Sequence, residues 1–239
     1  MCSHLLSASD SDELISALQA IDISVPPRTG GRKTPHTEIW TFCRLASTLA
    51  KCAELEFPLS VCHQDRPDFL VRSDKIEIGV EVTEAISEQF AAYCSLAQRE
   101  FSSTFLDPAH FRWDAPKCTA DEMRELLRQS QLSSDGWAGD RPEKEWALFL
   151  QSAFDAKLFK LARPEFKKFD QNWLSVYDNL SFSNIDLGKA ITYLRPLLQD
   201  RWDRTPGFHA LFVEHGPIIV RITATDSYQL KLNDLWSEG

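Results

Sequence analysis

Asp68 and Glu81 are the residues whose type and setting offer the most chemistry. Asp68 opens the run Pro67-Asp68-Phe69-Leu70-Val71, and Glu81 sits in KIEIGVEVT, residues 75–83. Both runs read as β-strands, and Ser73-Asp74-Lys75 between them reads as a turn. With Asp74 and Lys75 as a two-residue hairpin loop, paired positions have a constant sum and Asp68 falls directly across from Glu81. Alternation then gathers Phe69, Val71, Ile76, Ile78, Val80 and Val82 on one face. Asp68, Leu70, Arg72, Glu77, Gly79, Glu81 and Thr83 share the other. Two facing carboxylates repel unless a cation or a proton intervenes. Hard oxygen ligands of this kind suit Mg2+ or Mn2+, which take one or two carboxylates with waters and substrate phosphate. Such an ion can activate water and stabilise charge on a phosphodiester.

The elements that must hold this pair follow from the surrounding pattern. Residues 11–21 read as a short amphipathic helix, followed by the Pro- and Gly-broken loop SVPPRTGGRKTP. From Thr37, taken as the N-cap, EIWTFCRLASTLAKCAELE carries apolar residues at helical spacing. Helices are expected at about 84–101 and 120–130, with SSDGWAGDRP as a loop after them. A longer helix is expected at 143–162, with Trp146, Phe149, Leu150, Ala153, Phe154, Lys157 and Leu161 on one broad face. NWLSVYDN (172–179) reads as a strand and 185–202 as a helix. Residues 208–223 read as a hairpin turning at His215-Gly216. This order predicts a mixed α/β fold. No linker divides it, so the expectation is one domain over 1–239, with a helical extension over about 1–36.

Glu38 in an early helix, Pro67-Asp68 opening a hairpin and Glu81-Val82-Thr83 closing it together resemble the PD-(D/E)XK, or restriction-endonuclease-like, nucleases. The motifs cover roughly residues 37–84, and the later strand, helix and strands suit that family's mixed β-sheet flanked by helices. The resemblance implies a metal-dependent nuclease that hydrolyses phosphodiesters. It implies Mg2+ or Mn2+ held by Asp68, Glu81 and the main-chain carbonyl of Val82, with Glu38 reaching the metal through water. It further implies a nucleic-acid partner, DNA ahead of RNA, and a homodimer as a common assembly. The sequence departs from the pattern at Thr83, where the family has a lysine that orients the attacking water. Lys75 lies about 20 Å along the strand from Glu81 at ~3.3 Å per residue, too far to substitute. Lys157 is the best replacement, because a lysine on the apolar face of a helix points into the fold unless it snorkels.

Composition bounds the alternatives. The net charge of −9 argues against a protein that coats nucleic acid nonspecifically. It leaves room for local basic patches: Arg28, Arg32 and Lys33, and the run Lys157, Lys160, Arg163, Lys167 and Lys168. No apolar run is long enough for a membrane span. The N-terminus lacks the features of a signal peptide, so a cytoplasmic location is expected. The cysteines show no metal spacing and read as structural. The histidines, His110 among them, form neither HxxxH nor HExxH, and Cys62-His63 would point to opposite faces of a strand. Trp113 and Trp137, in loop-rich regions, are candidates for base stacking. Two rivals remain: a nuclease-like fold without catalysis that binds nucleic acid or protein, and an interaction protein whose hairpin acids sit in solvent.

Overall fold

The computed structural model describes residues 3–27, 30–101, 111–129, 138–180, 182 and 184–237. Arg28, His110, Trp137 and Cys2 lie outside them. The described residues form eight strands in one mixed sheet and six α-helices, a mixed α/β fold. The strands are β1 (Ser3–Ala8), β2 (Leu59–His63), β3 (Phe69–Ser73), β4 (Glu77–Ala85), β5 (Gln171–Asp178), β6 (Ala210–His215), β7 (Ile218–Ile222) and β8 (Ser227–Lys231). They lie side by side in chain order. Neighbours from β1 to β4 and from β6 to β8 are antiparallel, and β5 runs parallel to β6. The helices are α1 (Ser11–Gln19), α2 (Thr34–Lys51), α3 (Glu88–Glu100), α4 (Ala120–Gln129), α5 (Arg141–Leu161) and α6 (Leu187–Leu198).

The chain divides into two compact units. The first comprises the residues up to Glu84, Ala153–Asp178 and those from Gln199 onward. It contains nearly all of the sheet, with α1, α2 and the last part of α5. Leu14, Leu18, Phe42, Leu45 and Leu49 of its helices pack with Phe69, Val71, Val80, Trp173 and Phe212 of its strands. Leu70, Leu174, Leu211 and Val213 alternate with that set and are also buried, so the sheet is covered on both faces. The second unit, Ala85–Ser152 and Asn179–Leu198, includes a small core of Tyr93, Leu96, Phe111, Met123 and Leu127.

Local chemistry explains the element boundaries. Asp10 caps α1 by accepting the Glu13 N–H at 2.9 Å. Helix α2 begins at Thr34, three residues before the expected cap at Thr37. Pro35 is tolerated in a first turn, His36 Nδ1 accepts the Lys33 N–H at 3.1 Å, and the Thr37 hydroxyl donates back to the Thr34 carbonyl. Residues 84 and 85 end β4 rather than start a helix, and Ser87 is the N-cap of α3. Strands β1, β2 and β8 form where the sequence pattern suggests none. All three are short, and β8, at the edge of the sheet, has little apolar alternation to show. Within the first 36 residues, therefore, β1 joins the sheet beside β2 ahead of the expected helix.

Candidate metal centre

The hairpin of β3 and β4 has the register that the sequence predicts. Phe69 pairs with Val80, Leu70 with Gly79, Val71 with Ile78 and Arg72 with Glu77. The Ser73 N–H donates to the Ile76 carbonyl at 3.0 Å, and the Ser73 hydroxyl accepts the N–H groups of Lys75 and Ile76. This turn fixes the two-residue loop, and the same register places Asp68 opposite Glu81. Phe69, Val71, Ile78, Val80 and Val82 lie in the core shared with α1 and α2. The acidic pair therefore faces the other way.

Lys157 of α5 comes to meet it. On this helix Leu150, Phe154 and Leu161 are buried, and position 157 continues their stripe at helical spacing. The Lys157 ammonium donates to Glu81 Oε2 at 2.7 Å and to Asp68 Oδ2 at 3.3 Å. Asp68 Oδ2 also accepts the Val82 N–H at 2.7 Å. Glu81 Oε1 is buried with no hydrogen-bond partner among the described residues. Side-chain exposure is 13% for Lys157, 15% for Asp68 and 5% for Glu81. Burial and the neighbouring Asp68 push the Glu81 carboxyl above the usual carboxylate range, against the pull of Lys157 and Lys160. Burial opposes the charge on Lys157, but Asp68 and Glu81 outweigh it and raise its pKa.

The remaining residues singled out in the sequence fall elsewhere. Glu38 Oε2 lies 2.9 Å from His63 Nε2. His63 pairs with Phe69 across β2 and β3 and packs on its ring, so this contact belongs to the side of the sheet that Phe69 faces. Among the described residues no three His, Cys, Asp or Glu side chains converge as a metal site; Glu38 does not join the Asp68–Glu81 pair. Thr83 takes the next position after Glu81 on the same face of β4. Lys75 pairs with Glu56 at 2.6 Å. Trp113 packs edge-on against Phe149. Cys43, Cys52, Cys94 and Cys118 are thiols outside any disulfide, and burial pushes Cys43 up to about 12. Cys62 is disulfide-bonded.

Sequence reasoning missed a second buried ion cluster. Arg44 of α2 donates to Glu214 Oε1 of β6 at 2.9 Å and pairs with Asp234, while its guanidinium lies 4.5 Å from the centre of the Trp40 ring. Glu214 Oε2 is buried without a partner among the described residues. Burial raises the Glu214 carboxyl to about 7, although Arg44 opposes the shift. The separations of 170 and 190 residues in the chain left no local signal of this cluster.

No family model, curated protein or solved structure matches the chain. None of the described helices is long and apolar enough to cross a membrane.

Proposed function

We propose that Asp68, Glu81 and Lys157 form the centre of a metal-dependent nuclease on a restriction-endonuclease-like sheet, in which the lysine comes from a helix. The observation that carries this reading is the bond from one ammonium to both members of the facing carboxylate pair. A lysine in this position supplies the positive charge that Thr83 lacks.

The residues present fit Mg2+ or Mn2+. Two carboxylates are the number such ions commonly take from protein, and the buried, unpartnered Glu81 Oε1 is an acceptor that a cation would satisfy. Asp68 and Glu81 would hold the ion, with the Val82 carbonyl as a further candidate. The bound ion would supply Lewis-acid stabilisation of the phosphodiester and a more acidic water. The Val82 N–H fixes one oxygen of Asp68 and so orients that carboxylate. Lys157 balances the charge of the pair when the fold forms. With substrate present it places a proton-donating, cationic group beside the scissile phosphate. Glu38 stays outside the ligand set and holds His63.

Cleavage of plasmid DNA and of RNA in Mg2+ or Mn2+ tests the proposal. Metal-dependent cleavage is expected, and Asp68→Ala and Glu81→Ala should each lower it at least 100-fold. Cleavage that persists in both variants refutes the site. One observation favours a second reading, a binding module without catalysis: the Lys157 ammonium already bonds to both acids. Nucleic-acid or protein binding that is insensitive to metal, with no cleavage, selects that reading.

A further inference from the structure

A cleft of about 440 Å³ opens in the first unit, around the starts of β5 and β6. Its walls include Lys168, Phe169, Trp202, Arg204 and His209. That volume is typical of a small-molecule site. We propose that it binds a nucleoside monophosphate unit, with the phosphate on the basic side chains and the base against the aromatic ones.

The basic half is free to take an anion. Among the described residues neither Lys168 nor Arg204 has an ion-pair partner, and both are exposed. His209 is held in one tautomer. Its Nδ1 accepts the backbone N–H of Asn172 at 3.0 Å, while its own N–H donates to the Asn172 carbonyl at 2.7 Å. The ring proton is therefore on Nε2, which is a donor. Asp170 is the acid in the lining. One of its oxygens already accepts the Glu77 N–H at 2.9 Å. Two free cations and an imidazole donor against one engaged carboxylate favour an anion, on a chain whose net charge is −9.

The aromatic half gives the anion its chemical class. Trp202 lies edge-on to Phe154, with ring centres 5.4 Å apart. Phe169 lies over Gly79, where a Cβ would come within 2.7 Å of its ring, and the Lys167 ammonium lies 5.0 Å from the ring centre, so the ring offers a base its remaining face. Flat π-faces beside cations are what a nucleobase attached to a phosphate requires. An inorganic anion would leave them unused.

The position also matters. Gly79 and Glu81 lie on one face of β4, two residues or roughly 7 Å apart along the strand. Phe169, a wall of the cleft, therefore sits on the face of the sheet that carries the carboxylate pair. This inference deepens the proposed function and rests on it only for the source of the nucleotide, the end of a nucleic-acid strand. Nucleotide binding itself is independent of cleavage.

Calorimetric titration in EDTA separates the two. Adenosine monophosphate should bind at least tenfold more tightly than adenosine or inorganic phosphate. Lys168→Glu and Arg204→Glu should each weaken it at least tenfold without changing the melting temperature. The affinity measured in EDTA should be found whether or not the protein cleaves nucleic acid. A 5′-phosphorylated oligonucleotide that binds more tightly than the mononucleotide identifies a strand end as the occupant; equal affinity identifies a free nucleotide. Three results overturn the inference: phosphate binding as well as the nucleotide, binding unchanged by Arg204→Glu, or binding unchanged by Lys168→Glu.

Discussion

Two clusters on the sheet of the first unit share a plan, and their difference separates a candidate site from a structural tie. In each, one cation from a helix meets two carboxylates, and one buried carboxylate oxygen lacks a partner. At Glu214 the cation is Arg44, a planar fork that stays charged and lies against Trp40. It ties α2 to β6 and to Asp234 near the C-terminal end. At Glu81 the cation is Lys157, a flexible point charge that another cation can displace. Its two acids come from one tight hairpin and face each other whether or not the lysine is present. A fork bonded to distant elements builds tertiary structure. A point charge over two acids of one hairpin is the arrangement that the proposed metal centre uses.

The largest expected effect sharpens that contrast. Lys157→Met and Arg44→Met each strand buried carboxylates and should cost about 3–5 kcal/mol in denaturant unfolding in EDTA. Millimolar Mn2+ should then restore much of the loss in Lys157→Met, about 2.7 kcal/mol at a hundredfold excess over Kd. It should restore none in Arg44→Met. An equal response of the two variants would erase the distinction.

The next effect concerns pH and belongs to the Arg44 cluster. The folded Glu214 keeps its proton up to about 7, above the ordinary value of 4.5 that the unfolded chain shows. A raised carboxyl favours the folded state at low pH, and that contribution is lost as pH rises through 7. Between pH 5 and 8 the unaltered protein should lose stability relative to Glu214→Gln, on the order of 3 kcal/mol. Parallel profiles of unfolding free energy against pH would contradict the assignment.

Smaller effects follow from the close packing near the pair and from the helix acid. Gly79→Ala puts a methyl against Phe169 and should cost about 1–3 kcal/mol in thermal unfolding. Glu38→Gln keeps a hydrogen bond to His63 and should cost less than about 1 kcal/mol. It should leave Mn2+ affinity unchanged within about twofold. A larger loss of affinity would place Glu38 in the ligand set.

The hairpin was legible because its information is local. A two-residue turn and strict alternation fix register, so Asp68 and Glu81 could be paired from the twelve intervening positions of sequence alone. Lys157 was legible for a different reason, as a charge on an otherwise apolar helical stripe. Glu38 was readable as a helix residue, but its partner was not, because the pairing of β2 with β3 that places His63 beside Phe69 is not encoded in the local pattern of either strand. Strands β1 and β8, at the two edges of the sheet, show too little apolar alternation to be read. The cluster of Arg44, Glu214 and Asp234 and the cleft at Arg204 and His209 depend on strand order, which periodicity does not encode.

Calorimetric titration of Mn2+ into the metal-free protein bears most directly on the account. One ion per chain should bind, with the heat abolished in Asp68→Asn and in Glu81→Gln and retained in Glu214→Gln. Absence of binding, or binding that survives both substitutions in the hairpin, would contradict a metal centre at this pair.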